Sequence, residues 1–236
     1  MMRNIGLLLT LLLTLSAQAP AQGNAPLRHL VYQFGYNTPV ASSGNGTGTT
    51  TIDIIGPAPD GGVMISGQDF WWNTVRPRAT NTCDVHPDGG VSCSQAPNAI
   101  SPMQLTIFPL LARSFFTPLN PSATSSWTRS YHLYLAIIPG ASGYAGQPTR
   151  WNCTYSLVSK GPIPKAAPLV LIESKGTLDQ QGGTYLKATS KQRIVYDPVA
   201  KVPAIVRDIR THFPQRTVYN NDLIELKLVK DSHAKQ

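Results

Sequence analysis

The amino-acid sequence predicts a mainly β fold: an antiparallel sandwich or an open, curved half-barrel of about ten strands, with one short helix near residues 102–113. Apolar and polar residues alternate in short segments that are separated by turn residues. The 236 residues include 19 Gly and 20 Pro, and only 14% are charged, a balance that favours strands and turns over helices. Hydrophobic residues make up 42% of the chain, enough for a substantial core.

The first 21 residues are predicted to be a secretory signal peptide. Arg3 gives a positive start, and it is followed by the apolar run "IGLLLTLLLTL" and the small-residue stretch "SAQAPAQG". The run is shorter than the roughly 20 residues that a membrane-spanning helix needs, which disfavours the alternative of a retained anchor. Cleavage after Ala21 is preferred over cleavage after Ala19, because the latter places Pro20 first in the mature chain.

Residues 22–236 are predicted to form a single all-β domain, with an internal boundary, if there is one, near 117–126. The signal predicts export to the bacterial periplasm or medium, without a transmembrane span after signal removal. Oligomeric state and strand order are not specified by the sequence.

The first strands are indicated by alternation. "LRHLVYQFGYNT" places Leu30, Tyr32 and Phe34 on one face, and "NGTGTTTIDIIG" and "VMISGQDFWW" flank the turn-rich "GPAPDGG". Trp71 and Trp72 are adjacent in the last of these strands and therefore point to opposite faces. If an aromatic side chain lines a contact surface, one of this pair is the better candidate.

The segment "TCDVHPDGGVSC" predicts a second hairpin. Pairing Cys83 with Cys93 places Val85 opposite Val91, and all four residues then share an apolar side. The exported location favours a lasting disulfide. The pairings of Cys83 or Cys93 with Cys153 remain alternatives, and a Cys153 left free is best explained as a small buried hydrophobe.

One helix is predicted in "ISPMQLTIFPLLARSFF". Ser101 is a good N-cap, Pro102 suits the first helical position, and Gln104 completes a capping box. Pro109 should end or kink the helix within about two turns. Because its apolar residues are too numerous for an exposed face, the helix is expected to plug the sheet, with a lipid-contacting segment as the alternative.

The second half of the chain predicts further strands. "WTRSYHLYLAIIP" and "RWNCTYSLVS" flank a glycine-rich loop, and in the latter strand Trp151, Cys153 and Tyr155 share a face. Five more alternating segments lie between residues 168 and 230 and read as a meander. The last of them places Ile224, Leu226 and Leu228 inward.

The net charge of +8 is unevenly distributed. The mature part before residue 150 has five basic and five acidic residues, whereas 14 basic and seven acidic residues follow from Arg150 onward. Such asymmetry can indicate attraction to anionic surfaces, and a solvated basic face is the alternative. The candidates for a ligand or contact surface are therefore Arg193, Arg207 and Arg210 together with Trp71 and Trp72.

A resemblance is found in the C-terminal meander, in "GTYLKATSKQRIVYDPVAKVPAIVRDIRT". Its strand rhythm and the turn at Tyr196, Asp197 and Pro198 resemble secreted bacterial proteins of unknown function. Their curved antiparallel sheet is similar to the half-barrel of the outer-membrane lipoprotein carriers. The likeness spans residues 167–230. It implies a concave apolar face able to hold an acyl chain and carries no functional residue with it.

No catalytic residue, cofactor or metal site is predicted. The five histidines show no H-x-x-H spacing, and Cys83, His86 and Cys93 lack a fourth ligand and a second close pair. "GASGY" has Tyr where a nucleophile elbow has its last Gly, and the modules typical of nucleic-acid binding are missing.

Three function hypotheses follow from these observations. The first is an exported, non-enzymatic protein that binds lipid or another apolar or anionic cell-envelope component. The second is a structural or protein-interaction module of the envelope. The third is an enzyme of unrecognised type. An enclosed apolar cavity would favour the first, and a filled core with an exposed aromatic patch would favour the second.

Overall fold

A computed structural model describes residues 26–38, 45–72, 74–77, 79–93, 101–112, 114–116, 126–134, 148–160, 169–180, 187–213 and 220–233. The predicted signal peptide lies outside these residues, as do all but the last residue of the predicted boundary near 117–126 and of the glycine-rich loop at 140–148. The described strands are β1 Arg28–Asn37, β2 Gly46–Pro57, β3 Val63–Trp71, β4 Ala79–Val85, β5 Val91–Cys93, β6 Ser126–Tyr134, β7 Pro148–Lys160, β8 Val170–Gln180, β9 Lys187–Asp197, β10 Val202–Phe213 and β11 Asn220–His233. Between β5 and β6 lie the helix α1, Pro102–Ile107, and a 3₁₀ helix, Phe108–Leu111.

All eleven strands form one antiparallel sheet, in the order β5-β4-β3-β2-β1-β11-β10-β9-β8-β7-β6. The sheet curves until its edge strands β5 and β6 approach each other, so that it is nearly closed. The mainly β prediction is confirmed. Of its two architectures, the structure has the curved sheet and not the sandwich.

The first and last strands, β1 and β11, pair at the centre of the sheet. Arg28 of β1 donates two hydrogen bonds to the carboxylate of Asp231 on β11, at 2.8 and 2.5 Å. These bonds hold the pKa of Asp231 below its ordinary value. The contact joins residues that are 203 positions apart in the chain.

Tight turns follow local side-chain chemistry. The backbone N–H of Gly62 donates to Asp60 after β2, that of Gly90 donates to Asp88 after β4, and those of Val199 and Ala200 donate to Asp197 after β9. The "YDP" turn therefore separates β9 from β10. Four described strands lie in the region where five alternating segments were predicted, because β9 runs without a break from Lys187 to Asp197.

The predicted helix begins where the capping signals place it. Ser101 Oγ accepts a hydrogen bond from the Gln104 N–H at 3.1 Å, and Pro102 is the first helical residue. The α-helical part ends at Ile107, and Pro109 lies in the 3₁₀ helix that follows.

This helical segment fills the inner face of the sheet. α1 packs against β10 and β11, and the 3₁₀ helix packs against β4 and β10. All nine residues from Met103 to Leu111 are buried. Gly67 of β3 admits the close approach, because a Cβ at this position would lie 2.5 Å from the Phe108 ring. The expectation that the helix plugs the sheet agrees with this packing.

An aromatic cluster continues the core beside the helical segment. Phe115 makes edge-to-face contacts with Tyr131 and Tyr155, at centroid distances of 5.9 and 5.1 Å. Trp127 stacks on Tyr155 at 5.6 Å. Aromatic rings from the segment after the helix and from β6 and β7 therefore share the interior with the plug.

Candidate functional site

The five residues predicted as a contact surface lie in three separate places. Trp71 and Trp72 are at the end of β3, and Arg193 and Arg207 are on the outer face of β9 and β10. Arg210 is on β10 but is buried inside the sheet. The structure therefore does not bring the five into one site.

Trp71 and Trp72 point in opposite directions, as their adjacency predicts. The Trp71 ring packs edge-on against Phe34 and Tyr36, at centroid distances of 5.2 and 6.2 Å. Trp72 is 88% exposed. Of the two, Trp72 is the one that is largely exposed to solvent, whereas Trp71 is partly buried.

Trp72 belongs to a hydrogen-bonded turn. The Thr74 N–H donates to the Trp71 carbonyl at 2.9 Å, and the Trp72 N–H donates to the Thr47 carbonyl at 2.9 Å. Val75, in the same turn, is 98% exposed, and Arg76 is exposed beside it. We call Trp72, Thr74, Val75 and Arg76 the Trp72 turn. It presents two apolar side chains and a cation to solvent.

Arg193 and Arg207 lie in a row of charges across four strands of the outer face. Register places Glu173, Arg193, Arg207 and Glu225 side by side. Arg193 pairs with Glu173 at 3.1 Å and Arg207 pairs with Glu225 at 3.2 Å. Both arginines therefore already have carboxylate partners. These pairs are half exposed, and pairs of this kind contribute little stability.

Two lysines form the next row of the same face. Lys175 of β8 lies directly opposite Lys191 of β9, and both are exposed. Like charges placed directly opposite each other destabilise a sheet. Lys175 and Lys191 therefore place two like charges side by side on neighbouring strands of the outer face.

Replacing Lys191 by Glu should raise the free energy of unfolding by about 0.5–1 kcal/mol at low salt, because a repulsive cross-strand pair becomes attractive. Urea unfolding in low and in 0.5 M salt measures the gain, which salt should reduce. Lys230→Glu on β11 is the matched control, since Lys230 lies opposite Val31. An equal gain in both variants would show that net charge alone is responsible.

Arg210 differs from its sequence-based expectation because its place in β10 points it inward. Residues Val206, Asp208 and Arg210 alternate with Arg207 and lie on the buried face. Arg210 Nε donates to Asp208 Oδ2 at 2.9 Å, and the Arg210 guanidinium lies 5.5 Å from the centre of the Trp151 ring.

The Asp208–Arg210 pair joins α1 to the sheet. A second Arg210 nitrogen donates to Thr106 Oγ1 on α1 at 2.7 Å. Asp208 also accepts from Ser190 at 2.6 Å and from Gln192 at 3.2 Å, both on β9. We call Thr106, Ser190, Gln192, Asp208 and Arg210 the interior polar cluster. Its polar groups bond to one another, which suits a structural role.

Four members of this cluster were not predicted from the sequence: Asp208, Thr106, Ser190 and Gln192. A signal existed in β10, where a carboxylate and a guanidinium occupy two successive inward positions of an alternating strand. Because charged side chains are rarely buried unless they are paired, two opposite charges at inward positions indicate an ion pair. Their partners on α1 and β9 could not be read from spacing.

A second buried carboxylate, Asp69 on β3, lies on the other side of α1. It is fully buried, and Thr50 Oγ1 donates to its Oδ1 at 2.8 Å. Among the described residues nothing lies in hydrogen-bond geometry with Oδ2, although Ser101 and Gln104 are near enough to favour the ionised form. Burial outweighs these contacts and raises the pKa of Asp69 to about 6.

Cys153 is the remaining thiol, and it is buried beside two tyrosines. Its Sγ lies 3.8 Å from Tyr131 Oη, which is 3.3 Å from Tyr155 Oη. Burial raises the pKa of Cys153 to about 11 and the pKa values of both tyrosines well above their ordinary value. The thiol is therefore protonated at neutral pH, and a thiolate nucleophile is not formed there.

The predicted disulfide between Cys83 and Cys93 is present, with Val85 opposite Val91. His86 connects this hairpin to the preceding turn of the sheet. Its Nδ1 is hydrogen-bonded to Asp60 in the β2–β3 turn, and its Nε2 is 2.8 Å from Ser92 Oγ. His86 therefore ties two turns together at one end of the sheet.

A thiol assay on denatured, unreduced protein should find one reactive thiol, that of Cys153. Reducing the disulfide should lower the free energy of unfolding by about 3 kcal/mol, because a short loop of the unfolded chain is released. The double variant C83A/C93A, followed by urea unfolding, measures the loss. Three reactive thiols in the unreduced protein would contradict the pairing.

No protein-family model, curated protein or solved structure matches this chain. In the part of the chain that the structure describes, no three His, Cys, Asp or Glu residues are grouped to hold a metal ion. Within that same part, no helix is both long and apolar enough to cross a membrane.

Proposed function

We propose that this chain is an exported, non-enzymatic interaction module of the cell envelope, which contacts apolar or anionic envelope components through its outer surface. The observation that carries the proposal is the filling of the inner face by α1 and the 3₁₀ helix. Residues Met103, Ile107 and Phe108 are each 0% exposed there. The chain's own segment occupies the place where a carrier of the predicted kind would hold an acyl chain.

The plug is held by polar contacts as well as by packing. Arg210 of β10 donates to Thr106, and Asn81 of β4 donates to Gln104 Oε1 at 2.6 Å. Removing α1 from the inner face would expose these groups and the carboxyl group of Asp208 to an apolar ligand. An acyl chain on the inner face is therefore disfavoured, and the outer surface is left for binding.

Export is supported by two independent features. The first is the predicted signal peptide, and the second is the Cys83–Cys93 disulfide, which persists in oxidising compartments. The resemblance to the lipoprotein carriers remains a prediction. It implies an inner face that is free to hold an acyl chain, whereas the inner face here is filled by α1 and the 3₁₀ helix.

Native mass spectrometry of protein purified from its own periplasm tests the proposal. We expect the mass of the mature chain with one disulfide and no retained lipid. A lipid recovered in one-to-one amount, and released only when collisional activation unfolds the chain, would overturn the proposal and favour the carrier role. The control is the same protein after denaturation and refolding in the absence of lipid.

A further inference from the structure

We infer that the Trp72 turn is a contact site for an anionic lipid bilayer. The inference deepens the proposed function and rests on it, since it names the surface and the partner. It starts from the most exposed apolar groups of the described residues, Val75 at 98% and Trp72 at 88%. Exposed apolar side chains grouped in one turn mark interaction sites more often than isolated ones do.

The turn is built to hold Trp72 outward. Trp71 is anchored against Phe34 and Tyr36, and the Thr74 hydroxyl is hydrogen-bonded to the Trp71 backbone, 3.1 Å from its carbonyl oxygen and 3.2 Å from its nitrogen. The indole at position 72 therefore projects from a fixed base. Little conformational entropy is lost when such a side chain enters another phase.

The chemistry of the turn suits the interface between lipid headgroups and acyl chains. Indole is enriched at this interface because it combines a large apolar ring with an N–H donor. Val75 adds a small apolar group, and Arg76 adds a cation that an anionic headgroup attracts. By sequence, residues 70–82 contain two arginines, Arg76 and Arg78, and no acidic residue.

The charge of the surrounding end of the sheet favours the same partner. Because neighbouring strands are antiparallel, the end of the sheet where β3 ends is also where β1, β6, β8 and β10 end. The strand that follows each of them in the chain starts at the same end. The sequences that connect each of these four strands to the next contain one arginine and no acidic residue; they are 39–44, 135–147, 181–186 and 214–219. By sequence, the connections at the opposite edge contain Asp60 and Asp88 as well as Lys165 and Lys201. The connections at the Trp72 end therefore contribute basic charge only, whereas those at the opposite end contribute both signs.

Vesicle binding tests the inference on the full mature chain. The probes are vesicles of phosphatidylglycerol and phosphatidylcholine at equal amounts, and vesicles of phosphatidylcholine alone. We expect co-flotation with the anionic vesicles and a blue shift of tryptophan emission. The shift would report Trp72, because Trp127 and Trp151 are buried and Trp71 is packed.

Variants locate the contact. Trp72→Ser should weaken the partition coefficient on anionic vesicles about tenfold and abolish the blue shift. Arg76→Gln should weaken it about fivefold on anionic vesicles and leave neutral vesicles unaffected. Val75→Ser has a matched control in Val199→Ser, because Val199 is 72% exposed in the turn between β9 and β10 at the opposite edge. Only Val75→Ser should reduce binding.

Equal binding by Trp72→Ser and the unchanged chain would overturn the inference, as would the failure of the unchanged chain to bind either vesicle. Neither result decides the proposed function, which fails instead if a lipid is found inside the sheet by native mass spectrometry.

Discussion

Replacing Asp208 by Asn should lower the free energy of unfolding by about 3–5 kcal/mol, because the change leaves Arg210 as an unpaired charge in the interior. The Arg210 side chain is 7% exposed and the Asp208 side chain is 0% exposed, so water cannot replace the lost partner. Arg210→Met should cost a similar amount, since it leaves the Asp208 carboxylate buried. Urea unfolding at pH 7 measures both losses.

The double variant D208N/R210M separates the charge effect from packing. Replacing a whole buried pair by uncharged groups of similar size is often neutral or stabilising. We expect the double variant to be more stable than either single variant. The surface control is Arg207→Met, which breaks the exposed pair with Glu225 and should cost about 1 kcal/mol or less. Losses as small in the interior as at the surface would contradict the interior pair's role in holding α1.

The second large effect concerns Asp69 and pH. Its pKa is about 6 in the folded protein and 3.8 for an ordinary aspartate, so the folded state holds this proton more tightly than the unfolded state. The contribution to stability is fully present below pH 4 and is lost as pH rises toward and past 6. The difference corresponds to about 3 kcal/mol.

Asp69→Asn should remove this dependence, because the amide stays neutral at every pH. Relative to the unchanged chain, the variant should gain about 2–3 kcal/mol at pH 7.5 and differ by less than about 1 kcal/mol at pH 4. Asp84→Asn on the neighbouring strand β4, where the side chain is partly exposed, is the control for loss of one negative charge. A gain that is the same at pH 4 and pH 7.5 would contradict a raised pKa at position 69.

The groups around Asp69 explain why ionisation is costly there. Its polar neighbours are the neutral side chains of Thr50, Ser101 and Gln104, and no charged residue contributes to its pKa shift. Asp208, by contrast, has Arg210 at 2.9 Å. The two buried carboxyl groups therefore differ in their surroundings: Asp208 has a guanidinium partner, whereas Asp69 has only neutral polar neighbours.

Local patterns in the sequence determined which strand faces are buried, which cysteines pair and where the helix begins. The two-residue alternation assigns Leu30, Tyr32 and Phe34 to the buried face, and the spacing of turn residues places Cys83 opposite Cys93. Ser101 and Pro102 mark the start of the helix. These features depend on residues a few positions apart, whose relative geometry is set by the backbone itself.

Only the tertiary structure decided which strands are neighbours and what fills the sheet. Arg28 pairs with Asp231 across 203 positions, and Arg210 meets Thr106 across 104. Nothing in the spacing of a single chain encodes such pairs, because they depend on how the curved sheet brings distant strands together. The same folding of the sheet places Arg210 inside, although its positive charge predicts a surface position. Trp72 lies at the surface.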